Sequence, residues 1–145
     1  MLYIGADHRG YNLKEEIKKF LEEKKIKFND LGNLKCDQND DYPDFAKKVA
    51  LEISSDDKNK GILICGSGVG MSIVANKVKG VRAGLCLSSY MAKEAKKAID
   101  INVLCLAADL TDPNTAKTII RDWLETNFKE EERYLRRVKK INQLV

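Results

Sequence analysis

Short apolar runs alternate along the chain with longer segments in which apolar residues recur every three or four positions. The short runs are rich in Ile, Val and Leu and lack polar alternation, which is typical of strands buried on both faces of a parallel sheet. We predict five strands at Leu2–Ala6, Lys27–Leu31, Gly61–Cys65, Val81–Leu87 and Val103–Ala107.

The segments between these runs have the period of an amphipathic helix. Leu13, Ile17, Phe20 and Leu21 fall at i, i+4, i+7 and i+8, which places them on one face of a helix. Further helices are predicted around Phe45, Val49 and Ile53, over 71–78, over 88–98, from near Pro113, and over roughly 130–144.

Repeated strand–helix units favour the α/β class. The pattern predicts a doubly wound, five-stranded parallel sheet in the order 2-1-3-4-5, with helices on both faces. No linker or internal repeat interrupts residues 1–145, so we expect one domain.

Composition limits the cellular location and the kinds of molecule that this protein is expected to bind. No apolar run approaches the ~20 residues of a membrane span, and the N-terminus turns polar too soon for a signal peptide, so a cytoplasmic protein without a membrane partner is expected. The net charge is only +4, and the basic run 133–140 lacks a wider aromatic platform. A phosphate on a small molecule is therefore a better partner than nucleic acid.

The four cysteines form no Cys-x-x-Cys pair, and with a single histidine they offer no typical zinc cluster. Cys86 and Cys105 lie inside apolar runs and are predicted to be inert core thiols. Cys36 lies in a polar loop, where it could be a surface thiol. Only Cys65 ends a predicted strand beside a glycine-rich turn.

Two polar clusters follow the first and third strands. Asp7-His8-Arg9-Gly10 follows one, and Cys65-Gly66-Ser67-Gly68-Val69-Gly70 follows the other. In a doubly wound sheet, ligands bind beyond the carboxyl ends of the strands where the strand order reverses. We therefore expect the two clusters to meet in one crevice.

The glycine-rich turn leads into a helix, whose free N–H groups would form a hole for an anion. The anion could be a phosphate or the oxygen of an enediolate, and the same helix terminus favours the thiolate of Cys65 as a base. Other interpretations stay open: Cys65 as a buried strand-end thiol, Asp7 as a helix cap, and His8 as an ordinary surface or core histidine.

Several other chemistries do not fit the spacing. Glycines at 66, 68 and 70 do not match Gly-x-Gly-x-x-Gly, and the Lys-Ser/Thr of a phosphate-binding loop is absent. A cysteine phosphatase would need an arginine where Met71 stands. Proton transfer next to a carbonyl needs only a base, an anion hole and groups that orient hydroxyls.

Several motifs together resemble ribose-5-phosphate isomerase B, a family that includes the subunits of galactose-6-phosphate isomerase. The resemblance covers essentially the whole chain, and its most specific part is the Cys-Gly-Ser-Gly-Val-Gly stretch. The motifs are Asp7-His8-x-Gly10, Asp41-Tyr42-Pro43, Gly61 to Ser72, Ala75-Asn76-Lys77, Gly80-Val-Arg82-Ala83 and Asn102-Val103-Leu104.

The resemblance implies an isomerase without metal or cofactor that interconverts ribose 5-phosphate and ribulose 5-phosphate through an enediolate. It makes Cys65 the base, Ser67 the residue that assists with hydroxyl protons, and Asp7 the residue that holds substrate hydroxyls. It also implies a homodimer, or a dimer of dimers, with sites at the interface and a C-terminal helix extending to the partner. The implied substrate-binding residues are His8, Tyr42, Gly66, Gly68, Val69, Gly70, Arg133 and Arg137, of which His8 and the two arginines would bind the phosphate.

Some positions depart from the family pattern. Ala98 and Ile99 replace the histidine that opens the sugar ring and the asparagine after it, and Asp109 replaces an arginine that contacts substrate. Glu131 and Glu132 replace two glycines. Three interpretations follow: poor ring opening with intact isomerisation, a different sugar phosphate such as a hexose 6-phosphate, or a non-catalytic binding subunit.

Overall fold

Five parallel strands form the centre of the protein in a computed structural model that describes Met1 to Val145. The strands are β1 (Leu2–Ala6), β2 (Phe28–Asp30), β3 (Lys60–Cys65), β4 (Ala83–Leu85) and β5 (Val103–Ala107). The helices are α1 (Tyr11–Glu23), α2 (Tyr42–Ser55), α3 (Val69–Ala75), α4 (Ser89–Ile99), α5 (Pro113–Glu125) and α6 (Glu132–Asn142).

The α/β class, the parallel sheet and the helices on both faces are confirmed. The predicted order 2-1-3-4-5 is wrong at one edge, because the order is β2-β1-β3-β5-β4. All five residues of β5 are buried, whereas the three residues of β4 are only half-buried. The longer, uniformly apolar strand therefore lies inside the sheet, and the short strand forms its edge.

Each face of the sheet packs against its own set of helices. On one face Ile17, Leu21 and Trp123 of α1 and α5 pack against β1, β3 and β5. On the other face Val49 and Met71 of α2 and α3 do the same. The strand order reverses between β1 and β3, so the carboxyl ends of these two strands border the predicted crevice.

Helix α6 differs from the other five because none of its residues is buried. It lies beside α4. The segment before α6 is joined to α4 by a hydrogen bond from the Lys129 N–H to the Lys97 carbonyl at 3.0 Å. Near its end, Arg82 donates to the Asn142 side chain at 3.2 Å. None of the six helices is long and apolar enough to cross a membrane.

Candidate active site

A cleft of about 440 Å³ opens beyond the carboxyl ends of β1 and β3 and is closed on one side by the start of α2. Its volume is in the range of small-molecule sites. The sequence prediction that two polar clusters meet is confirmed by its lining: Asp7, His8, Arg9, Asp40, Asp41, Tyr42, Cys65, Gly66, Ser67, Val69, Gly70 and Ile73.

Cys65 is the last residue of β3 and is 5% exposed at the floor of the cleft. The Gly68 N–H donates to its Sγ across 3.1 Å. A backbone N–H directed at sulfur stabilises the thiolate over the thiol, which is the form that can take a proton.

Two glycines of the turn are required by its shape. Gly68 has a φ of +72°, and a Cβ there would lie 2.5 Å from Leu85 and 3.0 Å from the Leu106 carbonyl. A Cβ at Gly70 would lie 2.6 Å from the Tyr42 ring, so Tyr42 packs directly on the start of α3. Gly68 thus lies behind Cys65 rather than on the cleft wall.

The turn also leaves backbone donors free for an anion. The Val69 N–H donates to the Ser67 Oγ at 3.3 Å, and the first helical bond of α3 runs from the Ser72 N–H to the Gly68 carbonyl. The Gly70 N–H therefore has no acceptor within the helix. Gly70 lines the cleft, where a phosphate or an enediolate oxygen could accept from it.

Asp7 combines two of the roles considered for it. It is 4% exposed, and its Oδ1 accepts from the N–H groups of Arg9 and Gly10 at 3.0 Å each. This oxygen holds the turn that leads into α1. No protein group bonds the other oxygen, Oδ2, which remains free to accept from a substrate hydroxyl.

His8 is fixed by a residue that the sequence reasoning did not select. Its Nδ1 lies 2.7 Å from the Asp40 Oδ1, and the same oxygen accepts from the His8 backbone N–H at 3.0 Å. Asp40 directly precedes the quoted Asp41-Tyr42-Pro43 motif. Its position one residue before that motif is the only feature of the sequence that could have identified Asp40.

Arg9 belongs to the polar cluster that follows β1, but the sequence predicts no role for it. Its guanidinium forms an ion pair with Asp109, and both side chains are about half exposed. A cation therefore lies beside the cleft although position 109 is acidic. The pair joins the loop after β1 to the loop after β5.

Asp7, His8 and Asp40 each place one potential ligand atom within 4.8 Å of the others. The hydrogen bonds explain this cluster, because N–H donors already bond the Asp7 Oδ1 and both oxygens of Asp40. Lone pairs used in this way are poor ligands for a cation, so we assign no metal.

Arg133 and Arg137 do not reach this cleft within one chain. Both are exposed on α6, where Arg133 donates to Glu131 at 3.0 Å. Ala98 and Ile99 lie at the end of α4, beside α6. The positions that the resemblance implies for ring opening and for the phosphate clamp thus share a region away from Cys65.

The remaining cysteines behave as predicted. Cys36 is exposed, and Cys86 and Cys105 are buried. Burial raises the pKa of Cys86 to about 11, and burial raises the pKa of Cys105 as well. Neither thiol can form an anion near neutral pH, which leaves Cys65 as the cysteine available to the cleft.

Fold and site together define a class of protein: a doubly wound α/β protein with a cysteine, a glycine-rich turn and a polar small-molecule cleft at its switch point. The model of the Ribose/Galactose Isomerase family matches residues 2–141. The chain belongs to this family.

Individual relatives cover almost the whole chain. The probable ribose-5-phosphate isomerase B of Mycoplasma genitalium is 44% identical over 141 residues, which are 97% of this chain and 92% of the relative. The D-erythrulose-4-phosphate isomerase of Pectobacterium atrosepticum is 40% identical over 125 residues, 86% of this chain and 82% of the relative. The crystal structure of the M. genitalium ribose-5-phosphate isomerase B with bound ribulose-5-phosphate has a TM-score of 0.94 at 42% identity, covering 98% of this chain and 93% of that one.

Proposed function

We propose that this protein interconverts ribose 5-phosphate and ribulose 5-phosphate without a metal or cofactor. The observation that carries the proposal is the Cys65 thiol, held by the Gly68 N–H at the floor of a polar cleft. The relative whose structure contains ribulose-5-phosphate supports the choice of substrate.

The cysteine performs the proton transfer. The Cys65 thiolate takes the proton from C2 of the open-chain aldose, and the electron pair of that C–H bond forms the enediolate. Sγ then returns the proton to C1, which gives the ketose. The Ser67 hydroxyl moves the proton between the two substrate oxygens, and the free Oδ2 of Asp7 accepts from a substrate hydroxyl.

The rest of the cleft binds the substrate. The Gly70 N–H offers a donor to the developing negative charge, and Gly66 and Val69 line the same wall. Tyr42 lines the cleft beside Gly70, on which its ring packs, and His8 provides a ligand for the phosphate. Gly68 acts through Cys65, because its N–H is bonded to Sγ.

An assay of the purified protein tests this function. We expect turnover of ribose 5-phosphate and ribulose 5-phosphate that is unaffected by a chelator and is lost in Cys65→Ala. Comparison with hexose 6-phosphates and erythrulose 4-phosphate in the same assay gives the preference. No turnover of any of these would contradict the proposal and favour a binding subunit.

A different sugar phosphate is the second candidate. Ala98, Ile99 and Asp109 stand where the resemblance implies a histidine, an asparagine and an arginine. A relative that is 40% identical is named a D-erythrulose-4-phosphate isomerase, so substrates differ among similar chains. A kcat/KM for a tetrose or hexose phosphate above that for the pentose phosphates would favour this candidate.

We also propose that the working unit is a homodimer, alone or paired into a dimer of dimers. Helix α6 has no buried residue although Leu135 and Ile141 are apolar, and Arg133 and Arg137 lie four residues apart on one of its faces. In a dimer, α6 of each protomer would bring this arginine pair to the phosphate in the partner's cleft.

Mixing two impaired variants tests the shared site. Cys65→Ala and Arg137→Ala would each have impaired sites as homodimers. In a mixed dimer one site carries both defects and the other carries none, so exchanging subunits should restore about a quarter of the wild-type activity measured below KM. If mixing restores nothing while the subunits exchange, the arginine acts within its own chain.

A further inference from the structure

Asp40 is the starting point, because the reaction as described does not use it. Its side chain is only 8% exposed, although it borders the cleft. A carboxylate this far from water needs donors to stabilise it. It has three, which come from two different parts of the chain.

The donors determine its state. The His8 backbone N–H donates to Oδ1 at 3.0 Å, and the Asn33 amide donates to Oδ2. The third contact joins Oδ1 to the His8 Nδ1 at 2.7 Å. A carboxylate that already accepts two N–H bonds is stabilised as an anion, so the proton in the third contact lies on Nδ1.

The support behind Asp40 is rigid. Asn33 is buried, and its backbone carbonyl accepts from the Lys14 Nζ at 2.6 Å. Lys14 is itself fully buried and donates to both oxygens of Asp30 at 2.7 Å. The buried Lys14–Asp30 ion pair therefore holds the loop that carries Asn33, and Asn33 in turn holds Asp40. A shift of this loop would break the ion pair.

We infer that Asp40 is a positioning residue that holds His8 as the Nδ1–H tautomer and presents its Nε2 to the substrate. No protein group bonds Nε2, and His8 lines the cleft. The effect that we expect on substrate binding rests on the proposed function, because that function makes the substrate a phosphate ester.

The orientation has a chemical consequence. With Nδ1 held by Asp40, Nε2 is the ring nitrogen that faces the substrate, and it is from Nε2 that a doubly protonated ring would donate to an unprotonated phosphate oxygen. The other charged or titratable groups around this ring are Asp7, Arg9, Asp41, Tyr42 and Cys65. None of them bonds the imidazole, so the orientation depends on Asp40.

The chain allows a direct test because His8 is its only histidine. A long-range ¹H–¹⁵N spectrum of the labelled protein contains one imidazole pattern, which reports the tautomer without any assay. We expect the Nδ1–H pattern for the neutral ring of the wild type and a shift towards Nε2–H in Asp40→Ala. The same variant should raise KM for ribulose 5-phosphate and the inhibition constant of inorganic phosphate roughly tenfold, with kcat changed far less.

Two further variants separate positioning from folding. In Asp40→Asn the new amide oxygen can still accept from Nδ1–H, and its NH₂ can donate to the Asn33 Oδ1 once the Asn33 amide, which now donates to Asp40 Oδ2, turns over. This variant should keep the tautomer and show a smaller rise in KM than Asp40→Ala. Asp37→Ala, an exposed change in the same loop, is the matched control and should alter neither quantity.

The outcomes are distinct. An Nε2–H pattern in the wild type, or an unchanged pattern in Asp40→Ala, overturns the inference. It is also overturned if KM is the same in Asp40→Ala as in the wild type, or if Asp40→Asn keeps the tautomer but loses as much affinity as Asp40→Ala. If the wild type turns over no pentose phosphate, the proposed function fails, yet the spectrum still decides whether Asp40 sets the tautomer of His8.

Discussion

The cleft beside Cys65 and the edge formed by α4 and α6 are built in contrasting ways. The cleft is supported from beneath by the fully buried Lys14, and its floor by the Gly68 N–H on Cys65. The edge presents Arg137 and Ile99 to solvent, and α6 buries none of its residues. The cleft is rigid within one chain, whereas the edge has an apolar face without a partner.

The contrast teaches where each step of the chemistry is located. The groups that we propose for proton transfer, Cys65 and Asp7, are held by backbone hydrogen bonds within one protomer. The predicted phosphate clamp and the position where the family pattern implies a ring-opening histidine both lie on the α4–α6 edge. A substitution of Cys65 should therefore affect kcat, and one at the edge should affect substrate binding or ring opening.

The largest effect is expected from removing the base. Cys65→Ala should lower kcat by about 10³-fold, because alanine cannot take a proton and no other thiol lies at the floor of the cleft. Circular dichroism and a melting curve should show an intact fold. Cys36→Ser, a change at the exposed cysteine, is the control and should keep wild-type turnover. Wild-type kcat in Cys65→Ala would remove the base assignment.

Next in size is the buried ion pair beneath the cleft. Lys14→Met should lower the free energy of unfolding by about 2–4 kcal/mol, because Asp30 loses a buried partner at 2.7 Å and keeps Lys18 at 2.9 Å as its remaining cation. Denaturant melts measure this. Lys19→Met, on the exposed pair with Glu16, should leave the free energy of unfolding close to that of the wild type. Equal losses in both variants would mean that the cleft has no rigid support.

The α6 edge should respond through binding. Arg137→Ala should raise KM for ribulose 5-phosphate about tenfold with little change in kcat, since a charge-assisted bond to the phosphate is lost. Steady-state kinetics measure both constants. Arg136→Ala changes the neighbouring arginine, which lies 4.0 Å from Glu132, and should leave KM unchanged. An unchanged KM in Arg137→Ala would exclude it from the clamp.

The smallest effect is expected at the ring-opening position. Ala98→His should raise kcat from ribose 5-phosphate about threefold and from ribulose 5-phosphate less, because only the aldose must be opened before isomerisation. Lys97→His tests whether any histidine nearby suffices and should have no effect. Equal rises in both directions would argue against a ring-opening deficit.

The same contrast separates what sequence could and could not predict about the fold. The bounds of β1 and β5 match the structure because both are uniformly apolar strands with polar ends. The predicted order exchanges β4 and β5, because both runs are apolar and neither run indicates which strand it pairs with. Only the competition for burial places the five-residue strand inside and the three-residue strand at the edge.

For the site, the order of residues along the chain was enough to predict which polar groups meet in one cleft. Cys65 and the glycines after it are adjacent in the chain, and the rule for the strand ends brings Asp7 and His8 to them. The tertiary structure decided what lies behind these groups. Asp40 is 32 residues from His8, and Lys14 is 19 residues from the Asn33 carbonyl, so no local pattern predicts those contacts. Long-range contacts are fixed by how the loops fold over the sheet, which is why only the structure could show the support of His8.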